Sequence, residues 1–88
     1  MSSPTVDVLY FASLREALAR ERESIALPPG VTTAGALRKL LRQRGEPYAT
    51  ALAETRAVRI AVDQVMARAD APLRDGSEVA FFPPVTGG

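Results

Sequence analysis

The sequence closes on Pro83-Pro84-Val85-Thr86-Gly87-Gly88, and the group in it best suited to chemistry is the carboxylate of Gly88. A carboxylate can be activated by adenylation. The acyl-adenylate can then accept sulfur and become a thiocarboxylate. Gly87 and Gly88 carry no Cβ, so an attacking group meets no side chain, and the end can enter a channel too narrow for other residues. The two prolines cannot donate to a β-ladder and favour a stiff, extended stem. Val85 and Thr86 also prefer extended backbone. Together these residues predict a semi-rigid arm that projects a bare carboxylate. A terminal Gly-Gly alone is often idle, because chain ends tolerate change. An idle end does not need Phe81-Phe82-Pro83-Pro84 leading into it.

Other chemistry is mostly excluded by absence. The 88 residues include no Cys, His or Trp. Without Cys there is no disulfide, thiolate nucleophile or thiolate metal site, which leaves the C-terminus as the sensible place to hold transferable sulfur. Without His the commonest general base and metal ligand is missing. Asp7, Asp63, Asp70 and Asp75 fall in strand or turn contexts with no paired spacing, so neither a metal site nor a stand-alone enzyme is expected. The formal net charge is +1, too small to draw in nucleic acid or an anionic membrane. No apolar run approaches the ~20 residues of a membrane span. Met1-Ser2-Ser3-Pro4 lacks the basic and apolar regions of a signal peptide, so a cytoplasmic protein is expected.

The elements that must position the tail read as follows. Thr5 to Ala12 is a strand, with Val6, Val8 and Tyr10 on one face and Asp7, Leu9 and Phe11 on the other. Ser13 with Glu16 resembles a capping box for a short helix over Leu14 to Arg20. Glu23 to Leu27 is a second strand, ended by Pro28-Pro29-Gly30. Thr32 or Thr33 opens the main helix, whose apolar stripe is Ala34, Leu37, Leu40 and Leu41. Arg38, Lys39, Arg42 and Gln43 are expected to face water. Gly45 suits the left-handed position past the helix end, and Pro47 to Glu54 suggests another helical turn. Ala57 to Val62 and Val65 to Arg68 form a hairpin about Asp63-Gln64. Ser77 to Phe82 is the last strand.

The order is β-β, a main helix, then β-β-β. One amphipathic helix covers one face of a sheet. The apolar first and last strands are expected to lie central and adjacent. The expected class is α+β, a ubiquitin-like β-grasp with a mixed four- to five-stranded sheet, over residues 1–82, with residues 83–88 as its tail.

Parity exposes a second feature. Glu78 marks the outer face of the last strand, which also carries Ala80 and Phe82; Asp7 marks the outer face of the first, which also carries Phe11. Met66 shares its face with Arg68. Phe11, Met66 and Phe82 are therefore expected to form an apolar patch beside the tail, and such a patch points to a partner. The alternatives are cover by the small helices or loops, or a shift of parity at a bulge.

The segments VLYFASLRE and APLRDGSEVAFFPPV and the terminal TGG resemble the small subunit of molybdopterin synthase, the MoaD type, over nearly the whole chain. Met66 stands where that family more often has leucine. The resemblance implies that an activating enzyme of the MoeB type uses ATP to adenylate Gly88, which then becomes a thiocarboxylate. It implies that the tail, Pro83 to Gly88, inserts into a large subunit of the MoaE type, where sulfur passes to a cyclic pterin monophosphate and builds the dithiolene. It further implies a heterotetramer, catalytic side chains in the large subunit, and no cofactor bound by this chain. Phe11, Met66 and Phe82 match the family's partner-facing surface, and Arg15 matches an arginine near the partner. Three other readings stay open: a carrier for another pathway such as thiazole synthesis, a modifier conjugated through Gly88, and an interaction module with an idle tail.

Overall fold

A computed structural model describes residues 3–84 of the chain. Its elements are β1 (Thr5–Tyr10), α1 (Ala12–Leu18), β2 (Arg22–Ala26), α2 (Ala34–Arg42), α3 (Tyr48–Ala51), β3 (Arg59–Val62), β4 (Val65–Ala67) and β5 (Glu78–Phe82). The strands form one five-stranded sheet in the order β2-β1-β5-β3-β4. β1 and β5 are parallel neighbours, with Tyr10 opposite Phe81, and the remaining pairs are antiparallel. The apolar first and last strands thus lie side by side, as their composition predicts.

Alternation along each strand sends one set of side chains to a core. Val6, Val8 and Tyr10 of β1 and Val79 and Phe81 of β5 are at most 1% exposed. α2 covers this inner face with Ala34, Leu37 and Leu41, and Leu14 and Leu18 of α1 join the same cluster. Burial of each large side chain contributes roughly 1.5–3 kcal/mol. Tyr10 stacks on Phe81 with ring centroids 6.3 Å apart and meets the edge of Tyr48 at 6.4 Å.

Thr33 caps α2, its hydroxyl accepting the Ala36 N–H at 3.2 Å. The next free donors of that helix end are taken by a distant loop: Ala34 N–H donates to the Ala71 carbonyl at 3.0 Å and Gly35 N–H to that of Ala69 at 2.7 Å. Gly35 is small for a reason of space, since a Cβ there would stand 2.9 Å from the Ala69 Cβ and 3.0 Å from its carbonyl oxygen. The Asp63-Gln64 turn forms, with both residues left-handed at φ 50° and 68°.

Three expectations need correction. The Ser13–Glu16 capping box does not form. The chain leaves β1 through Ala12 at φ 53°, Phe11 is the cap residue, and its carbonyl accepts the Leu14 and Arg15 N–H groups at 3.1 and 3.4 Å. Because Phe11 N–H is still held by the Phe81 carbonyl at 3.1 Å, ladder and helix share one residue and Ser13 lies inside the first turn. Arg38 does not face water freely: its guanidinium donates to the carbonyls of Leu52, Ala53 and Arg56 at 2.8, 2.6 and 3.1 Å. It satisfies the carbonyls that follow α3, which a helix end otherwise leaves open. Arg42 likewise turns to Glu54 at 3.1 Å, while Lys39 and Gln43 are exposed.

Candidate functional site

All three helices lie against or beside the inner face, so the opposite face of the sheet is bare of helix. Register assembles that face. Asp7 lies opposite Glu78 and Leu9 opposite Ala80 across β1–β5; Ala80 lies opposite Ala61 and Phe82 opposite Arg59 across β5–β3. Met66 lies opposite Ala61 across β3–β4. Phe11 follows Tyr10 beside the end of β5. The outer face therefore runs from acidic residues at one end, through Leu9, Ala61 and Ala80, to Phe11, Phe82 and Arg59 at the end from which the chain continues toward Gly88.

Phe11 is 46% exposed and Met66 60%, while Phe82, Pro83 and Pro84 are half-buried. An exposed Phe and Met on one face of an 88-residue chain is unusual unless something covers them. Phe11 and Phe82 are brought together at the sheet's end, and Met66 lies two strands from Ala80, one alternation short of them. Arg15 is exposed on α1, which departs directly from Phe11. Val85, Thr86, Gly87 and Gly88 lie outside the described residues. Leu9, Ala61, Ala80 and Arg59 belong to the face but were not singled out as site residues. Leu9 and Ala80 follow from parity. Arg59 could have been found from its alternation with buried Ile60, and Val65, 67% exposed at the sheet edge, carries no sequence signal that separates it from a core valine.

The polar cluster with shifted acidities lies on the other side of the molecule. Glu23, its side chain 9% exposed, accepts from the Tyr10 hydroxyl at 2.9 Å, the Tyr48 hydroxyl at 3.1 Å, Arg44 at 2.8 Å and Arg20 at 3.2 Å. Burial pushes the Glu23 carboxyl up, but hydrogen bonds from Arg44, Tyr10 and Tyr48 outweigh it and hold the group below its ordinary range. Burial first, and Glu23 second, raise the Tyr10 phenol. The cluster joins β2 to α3 and to the end of α2, so it braces the fold.

Among the described residues no group of three or more carboxylates could hold a metal ion. The open depressions, about 590 Å³ along β2 near Ile25, Leu27 and Leu40 and about 340 Å³ between α1 and α3, are lined by none of Leu9, Phe11, Arg59, Ala61, Met66, Ala80 and Phe82. No helix among the described residues is long and apolar enough to cross a membrane. What the arrangement offers is an apolar sheet face beside the strand that leads in sequence to Gly87 and Gly88, suited to docking rather than to enclosing a substrate.

Residues 8–88 match the ThiS family. This chain belongs to the ThiS family. It is 40% identical over 83 residues to the molybdopterin synthase sulfur carrier subunit of Escherichia coli K12, covering 94% of this chain and 99% of that protein. Its fold is shared with a chain assigned to subunit 1 of the molybdopterin converting factor of Pyrococcus furiosus, at a TM-score of 0.76 and 30% identity, over 94% of this chain and 100% of that one. A further match is a structure of the complex of subunits 1 and 2 of the molybdopterin-converting factor of Helicobacter pylori, at a TM-score of 0.64 and 27% identity, over 96% and 99%. The fold of this ThiS-family chain is the ubiquitin-like β-grasp, with a five-stranded mixed sheet.

Proposed function

We propose that this chain is the sulfur carrier subunit of a molybdopterin synthase, with the Gly88 carboxylate as the carrying group. The observation that supports it most is the placement of Phe11 and Phe82 on the bare outer face, at the end of the central strand that leads in sequence to Gly87 and Gly88. In this reading an activating enzyme brings ATP. A Gly88 carboxylate oxygen attacks the α-phosphorus, pyrophosphate leaves, and an acyl-adenylate forms. Hydrosulfide released by a sulfur donor attacks the Gly88 carbonyl carbon, AMP leaves, the S–H proton is lost to water, and a thiocarboxylate remains. The absence of Cys favours sulfur held on the terminus over sulfur held on a side chain.

The charged stem then enters a pocket of the large synthase subunit, which supplies the catalytic side chains and holds the cyclic pterin monophosphate. Phe11, Met66 and Phe82 cover the rim of that contact, Pro83 and Pro84 keep the stem extended, Val85, Thr86 and Gly87 fill the channel, and Arg15 contributes at its edge. A dithiolene contains two sulfurs, so two charged carriers are consumed per pterin, which suits an assembly with two carriers. The carrier itself binds no cofactor; ATP serves the activating enzyme.

The test is the intact mass of the chain after incubation with ATP, the activating enzyme and a sulfur donor. The expected result is a gain equal to one oxygen replaced by sulfur, mapped to Gly88. A chain that supports dithiolene synthesis with Gly88 deleted would overturn the proposal.

A further inference from the structure

The outer face is graded in charge as well as in polarity. At the end of β5 remote from the stem, Asp7 and Glu78 lie opposite each other, and Asp63 N–H donates to the Glu78 carbonyl at 2.8 Å. At the stem end the charges reverse. Arg59 lies directly opposite Phe82, and Arg68 follows β4 one step beyond the pair that joins Ile60 to Ala67. Arg15 stands on the helix that leaves from Phe11. All three arginines are exposed, and among the described residues none of them is in an ion pair. The other arginines of the sheet and of α2, and Arg44 just past that helix, are occupied: Arg22 with Asp7, Arg38 with carbonyls, Arg42 with Glu54 and Arg44 with Glu23.

Residues directly opposite on one face have Cβ atoms about 5 Å apart. Any surface that covers Phe82 therefore covers Arg59 as well. A guanidinium taken out of water without a counter-charge is strongly unfavourable, and a carboxylate that meets its planar fork restores the balance. A phosphate in a deep pocket would satisfy the charge equally, but this face is a sheet surface with apolar side chains interleaved, which fits another protein.

We propose that Arg59, supported by Arg15 and Arg68, makes the stem end of the face a cationic docking surface matched to acidic side chains on the large synthase subunit. This rests on the reading of the outer face as that subunit's docking surface. Arg59 is then a determinant of partner choice: it favours a large subunit with a carboxylate opposite it and disfavours one with an apolar or basic residue there.

The experiment measures the affinity of the full chain for the large subunit of the same organism, at low and high salt, for the natural protein and for Arg59→Glu, Arg59→Ala and Phe82→Ala, with thermal midpoints as a check on folding. Arg59→Glu is expected to weaken binding at least roughly tenfold, as like charges are brought together at the contact. Arg59→Ala is expected to weaken it less and to flatten its salt dependence. A carboxylate-to-lysine change on the large subunit should restore binding of Arg59→Glu. If Arg59→Glu and Arg59→Ala bind as the natural chain does while Phe82→Ala does not, the face docks the partner but the charge proposal is overturned. If Phe82→Ala also binds unchanged, the docking surface itself is wrong and the charge proposal falls with it.

Discussion

At the residue scale the decisive polar group of the fold is Glu23. One carboxylate receives two phenols and two guanidinium groups at a side chain only 9% exposed. Its folded acidity is held below the ordinary value of 4.5, so the stability it supplies is present above that value and lost as pH falls through the lowered one. Glu23→Gln should cost about 1–3 kcal/mol at neutral pH, because the amide cannot accept from all four donors and two phenols are left short. Below pH 4.5 its thermal midpoint should fall less steeply than that of the natural protein. Parallel curves from scanning calorimetry would show that Glu23 is not the titrating brace. None of this was legible in the sequence. Glu23 reads there as one charged residue at the start of a strand, and its partners lie up to 25 positions away, on elements whose approach only the tertiary fold decides. The site residues were more legible, because period-two alternation in β1 and β5 separates Phe11 and Phe82 from Tyr10 and Phe81 without any knowledge of the fold.

At the element scale two devices hold the sheet and the main helix in register. The β3–β4 hairpin turns on two non-glycine residues in the left-handed region, which costs L-residues about 1–2 kcal/mol each. Gln64→Gly should relieve part of this and stabilise by up to about 1 kcal/mol, net of the added freedom of the unfolded chain. Asp63 should be kept, since its carboxylate also accepts the Glu78 N–H at 3.0 Å. A denaturant midpoint that does not rise in Gln64→Gly would refute this account. Gly35 works in the opposite sense. Gly35→Ala should destabilise by about 1 kcal/mol, overpacking against the Ala69 backbone outweighing the better helix propensity of alanine. The same midpoint measurement checks it, and an increase would mean that the loop at Ala69 yields freely. The hairpin was readable from local residue types, and so was a threonine at the start of α2, though Thr32 and Thr33 were not told apart. The beginning of α1 was not, because Ser13 and Glu16 have the right spacing for a capping box while the β1–β5 ladder holds the chain until Phe11 and starts the helix too early for them. Arg38 was misread for a similar reason: helical periodicity places it on the polar side, but the carbonyls after α3 fold back onto that side.

At the scale of the whole molecule, a sheet with all its helices on one side divides its large residues into two classes. Phe81→Ala should cost about 3–5 kcal/mol, since its side chain is 0% exposed in the core. Met66→Ala should change stability by no more than about 0.5 kcal/mol. Affinity for the large subunit should respond in the reverse order, with the soluble fraction of Phe81→Ala, once folded, binding nearly as the natural chain. Chemical denaturation together with titration of the partner separates the two, and a Met66→Ala chain that lost as much stability as Phe81→Ala would place Met66 in the core instead. The position of β5 has one more consequence, a mechanical one. The chain leaves the sheet from a strand hydrogen-bonded on both sides, to β1 and to β3, and not from an edge. Tension applied along the axis of β5 loads both ladders in shear, so their bonds bear it together instead of opening one after another. A partner can grip this chain by its end and pull without unzipping it.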